Sequence, residues 1–499
     1  MKNHTRVVVR RVHGGKERGS PMSVTAQRTP RRTKIVCTIG PATSSPERLA
    51  ALMQAGMNVA RLNFSHGTRE SHATTIERIR QVSDTLALPI GILQDLPGPK
   101  TRTIGPANGP VELREGAKFV LTTRSVPGSA EEVSVTLATL PQDVRPGNAI
   151  LLDDGNIELE VVKVRDQDVE TVVVTGGPLS AAKGINVPNV TLSVSSLTER
   201  DIDFLHFGLE MGVDLVALSF VRSVGDVLTA RSIIDRTDKR PLLIAKLEKH
   251  EAIENLDEIL AAVDGLMVAR GDLGVEIPIE QVPLAQKKII AAANHVGKPV
   301  ITATQMLESM IVNPRPTRAE VTDIANAIFD GTDAVMLSGE TAVGAYPIQA
   351  VRMMDRVARE VEPALPYARM LQDKERDLES TIFDAISYDA VHAAAQLDAK
   401  LIVAFTSSGT TARRVAKYRP HIPILAVTPD RASWHRLALS WGVTPYIVAQ
   451  SESIEHMTAE ARTAALETGM ARVRDRIVII AGVPVGYPGR TNLLRIETL

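Results

Sequence analysis

Lys246 and Glu248 sit two residues apart in LLIAKLE (242–248), and Asp272 closes GLMVARGD (265–272). An extended chain turns alternate side chains to one side, so Lys246 and Glu248 face the same way. Two hard carboxylates, Glu248 and Asp272, suit Mg²⁺ or Mn²⁺, which keep open positions for water and substrate oxygens. An ammonium beside such an ion is what a transferring phosphoryl group needs as its bonds loosen. Arg61 in MNVARLN (57–63) can add a second cation. Thr304, near the end of PVITATQ (299–305), can orient a water or relay a proton. The turn Ala269-Arg270-Gly271-Asp272 can offer backbone N–H groups to a substrate carboxylate. A barrel salt-bridge network remains the alternative for Lys246 and Glu248, and a backbone-satisfied hydroxyl the alternative for Thr304.

These residues need elements that bring them to one place. Eight apolar runs recur between Thr33 and Glu340, each with a polar end and a following amphipathic helix: 33–39, 57–63, 89–96, 213–220, 242–248, 265–272, 299–305 and 333–340. Strands alternating with helices imply parallel pairing, and eight units point to a closed (β/α)8 TIM barrel, whose chemistry gathers at the carboxyl ends of the strands. Those ends carry Arg61 and Asn63, Asp95, Lys246 and Glu248, Asp272, Thr304, and Ser338 with Glu340, which predicts one polar floor at one rim.

The rest of the chain surrounds this barrel, residues 33–97 and 194–364. Residues 98–193 alternate apolar and polar positions, with a hairpin signal at Asp154-Gly155. They predict an inserted all-β, barrel-like lid beside the rim. Residues 365–499 read as a C-terminal open α/β domain, with a helix at 379–396 and strands at 401–406, 423–428, 445–449, 476–482 and the closing LLRIETL. Its first strand runs into Thr406-Ser407-Ser408-Gly409-Thr410-Thr411, whose hydroxyls, glycine and helix start suit an anion; ordinary N-capping is the alternative. Residues 1–32 carry many basic residues and the single acid Glu17, and are expected to be a disordered extension, with Met22 as an alternative start.

Of 499 residues, 44% are hydrophobic and 23% charged, and the net charge is −1. That balance gives no global field for nucleic acid or anionic membrane, so neither is an expected partner. A single cysteine, Cys37, excludes an internal disulfide framework and points to a reducing, cytoplasmic setting.

TKIVCTIGPAT, MNVARLNFSHG, IAKLE, VARGDLGVEIP, ITATQMLESM and SGETAVGAYP, in this order, resemble pyruvate kinases over about residues 32–499. The resemblance implies phosphoryl transfer from phosphoenolpyruvate to ADP, giving pyruvate and ATP. Arg61 would contact the phosphate, and Lys246 would stabilise the phosphoryl group and the enolate. Glu248 and Asp272 would hold the divalent ion, and Thr304 would lie where the enolate is protonated. Asn63, Ser65, Asp95 and Leu96 would form the family's monovalent-cation site. Pro41, Asn63, His66, Arg102 and the lid-hinge Lys183 would approach the nucleotide. Thr406 to Thr411, with Arg490 in GVPVGYPGRTN, would take a phosphorylated effector, and the family is usually a homotetramer. Two departures stand out. Lys100 in QDLPGPKTRT replaces an acidic residue common in K⁺-dependent relatives, so its ammonium is expected to replace K⁺ unless it is a solvated surface lysine. Val343 stands where some relatives have lysine. A metal-dependent aldolase for 2-oxo acids and a non-catalytic metabolite sensor are the rival readings.

Overall fold

Leu, Ile, Val and Ala dominate the eight runs because each strand is buried on both faces. The computed structural model describes residues 31–376, 378–451, 453–484 and 491–499. The barrel strands are Lys34–Thr38, Val59–Asn63, Gly91–Leu96, Leu215–Leu218, Leu242–Leu247, Gly265–Ala269, Val300–Ala303 and Ala334–Leu337. All pair in parallel, and the ring closes where Ile35 of the first strand meets Val335 of the eighth. Alternation sorts their side chains. Val36, Val59, Leu93, Leu215, Ile244, Met267, Ile301 and Met336 pack in the barrel interior. Their neighbours Ile35, Ala60, Ile92, Val216, Leu243 and Leu266 pack outward under the helices. The helices start where the chain supplies caps. The Thr198 hydroxyl accepts from the Asp201 amide and the Asp201 carboxylate from the Thr198 amide, opening Glu199–Met211, which ends at Gly212 with φ 70°.

The inserted segment forms a seven-stranded sheet and a separate two-stranded ribbon around its own core, in which Phe119, Leu121, Ile150, Leu159 and Val169 are fully buried. The expected barrel is only partly realised. The sheet's edge strands, Thr103–Ile104 and Ile185–Asn186, are the chain's way in and way out. A bridge between Arg102 and Gly184 stitches them together, with Thr103 N donating to Lys183 O at 2.9 Å and Ile185 N to Thr101 O at 3.0 Å.

The C-terminal sheet has five strands. Val443–Ile447, Ile424–Thr428, Leu401–Phe405 and Arg476–Ala481 run parallel, and Leu493–Thr498 lies antiparallel at the edge. The helix expected from 379 begins at Ile382, because the Thr381 hydroxyl caps it through the Asp384 amide. This domain also closes the amino end of the barrel: Leu439, fully buried, packs in the same cluster as Val59, Leu93, Leu215 and Leu242.

Two residues assigned to the basic extension belong to the folded body. Arg31 donates to Gly56 O at 2.7 Å, and the Arg32 and Thr33 amides donate to the buried Glu362 carboxylate. That acceptor fixes the start of the first strand. Residues 1–30 lie outside the described residues. Cys37 is buried and unpaired, and no helix among the described residues is long and apolar enough to cross a membrane.

Leu439→Ala should leave a cavity beneath the barrel and lower stability by about 2–5 kcal/mol. A urea unfolding midpoint equal to that of the parent chain would show that Leu439 is not part of the barrel floor.

Candidate active site

Strand parity builds the site. The interior positions Val36, Val59, Leu93 and Ile244 are apolar; two residues further along each strand come Thr38, Arg61, Asp95 and Lys246. An oily layer therefore carries a charged layer directly above it. The Arg61 guanidinium donates to Asp95 Oδ2 at 2.7 Å and to the Thr38 hydroxyl at 2.9 Å. The Lys246 ammonium lies 3.2 Å from Asp95 Oδ1 and 2.8 Å from Glu248 Oε1, and donates to Ser219 Oγ at 2.7 Å. Ser219 in turn donates to Leu96 O. Glu248 Oε2 accepts the Phe220 amide at 2.8 Å. Phe220 holds φ at 56°, a left-handed conformation that a bulky residue adopts only under constraint.

Burial alone would push the Asp95 carboxyl up, but the charges of Lys246 and Arg61 overcome it and hold the group below its usual range. Burial likewise opposes the charged form of Lys246, yet Asp95 and Glu248 raise it, so the ammonium keeps its proton. Glu248 is pushed upward, first by burial and then by the like charge of Asp272, against the pull of Lys246. Divalent binding would relieve that repulsion. No group of three His, Cys, Asp or Glu converges among the described residues. Glu248 and Asp272 thus fit an ion that takes one or two carboxylates and leaves its other positions to water and substrate.

The sixth and seventh strand ends meet at Thr304. Its hydroxyl donates to Ala303 O at 2.6 Å and accepts the Gly271 amide at 2.8 Å, leaving one lone pair. Gly271's N–H, expected to face substrate, is therefore committed to Thr304. Arg270 commits its guanidinium to neighbouring loops. It donates to Asp323 at 2.7 Å, to Thr304 O at 2.7 Å and to Ala303 O at 3.3 Å. This clamp holds Thr304 and Gln305 at φ 67° and 53°, a strain of about 1–3 kcal/mol each. Glu340, read as part of the polar floor, is buried and accepts the Leu307 and Ser338 amides, so it shapes the loop instead.

The remaining residues are spread more widely. Asn63 accepts the Ser65 amide at 3.1 Å, Leu96 is buried, and Pro41 and His66 are exposed. Arg102 donates to Ala182 O at 2.8 Å, and Lys183 pairs with Asp153 at 2.7 Å on the inserted domain. Lys100 is exposed and lines, with Phe220, Lys249 and Asp272, a cleft between barrel and insertion. No ion pair or hydrogen bond among the described residues joins its ammonium to Asn63, Ser65 or Asp95. In the C-terminal domain, Ser408 Oγ and Thr410 Oγ1 are 2.9 Å apart, Gly409 holds φ 84°, and Thr411 meets Thr491 at 2.9 Å. Thr406 is buried, and Ser407 O accepts the Ser433 hydroxyl. Arg490 lies outside the described residues. Sequence reasoning missed Thr38 and Ser219, which share the inward parity of the named residues. It also missed Arg413, whose guanidinium folds back toward Ser408 O and Thr410 Oγ1 at 3.5 and 3.4 Å.

Asp95→Asn should cost about 3–5 kcal/mol at neutral pH by leaving two buried cations under-compensated. A depressed carboxyl stabilises the fold above its unfolded pKa of about 4 and loses that contribution as pH falls through the lower folded value. The gap between parent and variant should therefore narrow in acid. A gap constant from neutral pH to pH 3 would contradict this ion-pair assignment.

Comparison with known proteins agrees with this fold. The family model described as pyruvate kinase, barrel domain, matches residues 30–351, and that described as pyruvate kinase, alpha/beta domain, matches residues 384–497. A pyruvate kinase from Geobacillus stearothermophilus is 50% identical over 472 residues, covering 94% of this chain and 80% of that protein. One from Bacillus licheniformis is 48% identical over 469 residues, covering 93% and 80%. A crystal structure of a pyruvate kinase from Cryptosporidium parvum aligns with a TM-score of 0.89 at 38% identity, covering 94% of this chain and 96% of that one. Charged barrel mouth, inserted domain and C-terminal sheet all fall within these matches, and the chain belongs to the pyruvate kinase family.

Proposed function

We propose that the chain transfers the phosphoryl group of phosphoenolpyruvate to ADP at the barrel mouth, giving pyruvate and ATP. The observation that carries this reading is the Lys246 ammonium, buried between Asp95 and Glu248 and held protonated by them. A group so firmly protonated acts as a fixed positive charge, which suits the phosphoryl group in flight and the enolate left behind. Arg61 adds a second fixed charge, aimed by Asp95 and Thr38. Mg²⁺ or Mn²⁺, held by Glu248 and Asp272, would offset charge on the substrate oxygens. Thr304, with one free lone pair, would orient the water that protonates the enolate. The inserted domain would act as a lid that keeps water from the phosphoryl group. Lys183 would leave Asp153 for the nucleotide phosphates, at low cost because a pair that solvent still reaches is worth only about 0.2–1 kcal/mol. Pro41, Asn63, His66 and Arg102 would flank ADP.

Three finer proposals concern other residues of the chain. Lys100 would replace K⁺, supported by its position in the cleft beside Asp272. The C-terminal segment Thr406 to Thr411, with Arg413 and Arg490, would bind a phosphorylated metabolite. A cation folded toward the amino end of its own helix is unfavourable unless an anion joins it. A homotetramer in the cytoplasm is the proposed working form, supported by the exposed Ile279, Leu284, Val312 and Val343 on the barrel.

Pyruvate formation from phosphoenolpyruvate, ADP and Mg²⁺ tests the main reading. Lys246→Met should lose at least about a hundredfold in turnover; a near-normal rate would remove Lys246 from the chemistry. Omitting K⁺ at constant ionic strength should leave the rate unchanged, whereas its abolition would exclude Lys100 as the replacement. Among fructose 1,6-bisphosphate, sugar monophosphates and AMP, at least one should lower the half-saturating phosphoenolpyruvate concentration, and Arg413→Ala should remove that response. Indifference to all of them would rule out the effector site.

A further inference from the structure

Glu276 makes no side-chain hydrogen bond to Glu248 or Asp272 themselves, yet three segments of the site meet on it. It ends the short helix Arg270–Glu276, one helical turn beyond Asp272, so the two carboxylates stand on the same side of that helix. Its side chain is 1% exposed. Oε1 takes two donors: the Lys249 ammonium at 2.6 Å and Asn186 Nδ2 at 2.8 Å. Lys249 immediately follows Glu248 and is itself buried. Asn186 belongs to the strand by which the inserted domain returns to the barrel, three residues after Lys183. Oε2 is buried and has no hydrogen-bond partner among the described residues. One oxygen thus gathers the strand end of Glu248, the helix of Asp272 and the return strand of the insertion.

We propose that Glu276 is a positioning residue that staples the two metal-holding carboxylates to each other and fastens the inserted domain to both. The Lys249–Glu276 pair sets the spacing between Glu248 and Asp272, since each partner is rigidly joined to one of them. The Asn186–Glu276 bond sets where the return strand, and with it Lys183, arrives over the cleft. The two arms are separable because different residues supply them. This inference rests on the reading of Glu248 and Asp272 as the divalent site.

The test is Mn²⁺ binding to the full chain without substrates, followed by electron paramagnetic resonance, alongside steady-state kinetics. Lys249→Met and Glu276→Gln should each weaken Mn²⁺ binding about tenfold, the lower range for removing a group that orients a metal ligand. Asn186→Ala should leave Mn²⁺ affinity unchanged and raise KM for ADP several-fold with little change in kcat. If Glu276→Gln fails to fold, Lys249→Met still reads the metal arm and Asn186→Ala the insertion arm. Parental Mn²⁺ affinity in folded Lys249→Met and Glu276→Gln, with Glu248→Ala impaired, overturns the staple alone. Parental affinity in Glu248→Ala as well overturns the metal site and the staple with it.

Discussion

Charge balance in a buried barrel mouth governs this structure. Arg61 and Lys246 face Asp95 and Glu248 directly above a layer of Val36, Leu93, Ile244 and Met267, with Asp272 within electrostatic reach. None of these charges would be tolerated alone at such burial. Together they hold two cations against three carboxylates, so one negative charge is left over. A divalent ion would turn that surplus positive and make the mouth attractive to an anionic substrate. The apolar layer below strengthens each of these interactions by excluding water.

The backbone around the mouth is held as firmly as the charges. Thr304, Gln305 and Phe220 all sit at positive φ, and each strained segment has a visible restraint. Arg270 grips the carbonyls of Ala303 and Thr304, while Glu248 takes the Phe220 amide. Arg270 and Glu248 therefore fix backbone shape as well as charge, which couples the seventh strand end to the sixth and the fourth to the fifth. Strain held in place by such restraints at strand ends is the pattern of a preorganised site.

Much of this was legible in the sequence because strand parity is a strict rule. Once the eight runs were identified, Arg61, Asp95, Lys246 and Glu248 had to point inward, and (β/α)8 closure had to bring them together. Other features were beyond that rule. Arg270 and Glu340 follow strands just as the others do, yet their side chains turn into loop restraints, which periodicity cannot reveal. The Asn186, Lys249 and Glu276 cluster joins distant segments through one oxygen atom. Arg413 shows in sequence only as a basic residue in the first turns of a helix, and its turn back toward Ser408 depends on packing. Arg31 and Arg32 looked like part of a basic tail because composition says nothing of the Glu362 acceptor waiting for them.

The stitched edges of the insertion carry one more consequence. Because Arg102 and Gly184 tie the outgoing and incoming chain together, the insertion hangs from a single two-ply post instead of two independent tethers. Such a post resists splaying and shear, so rotation at its base is the motion left to it. Whatever angle that base adopts, Arg102 and Lys183 travel together, so a nucleotide held as proposed would meet both or neither.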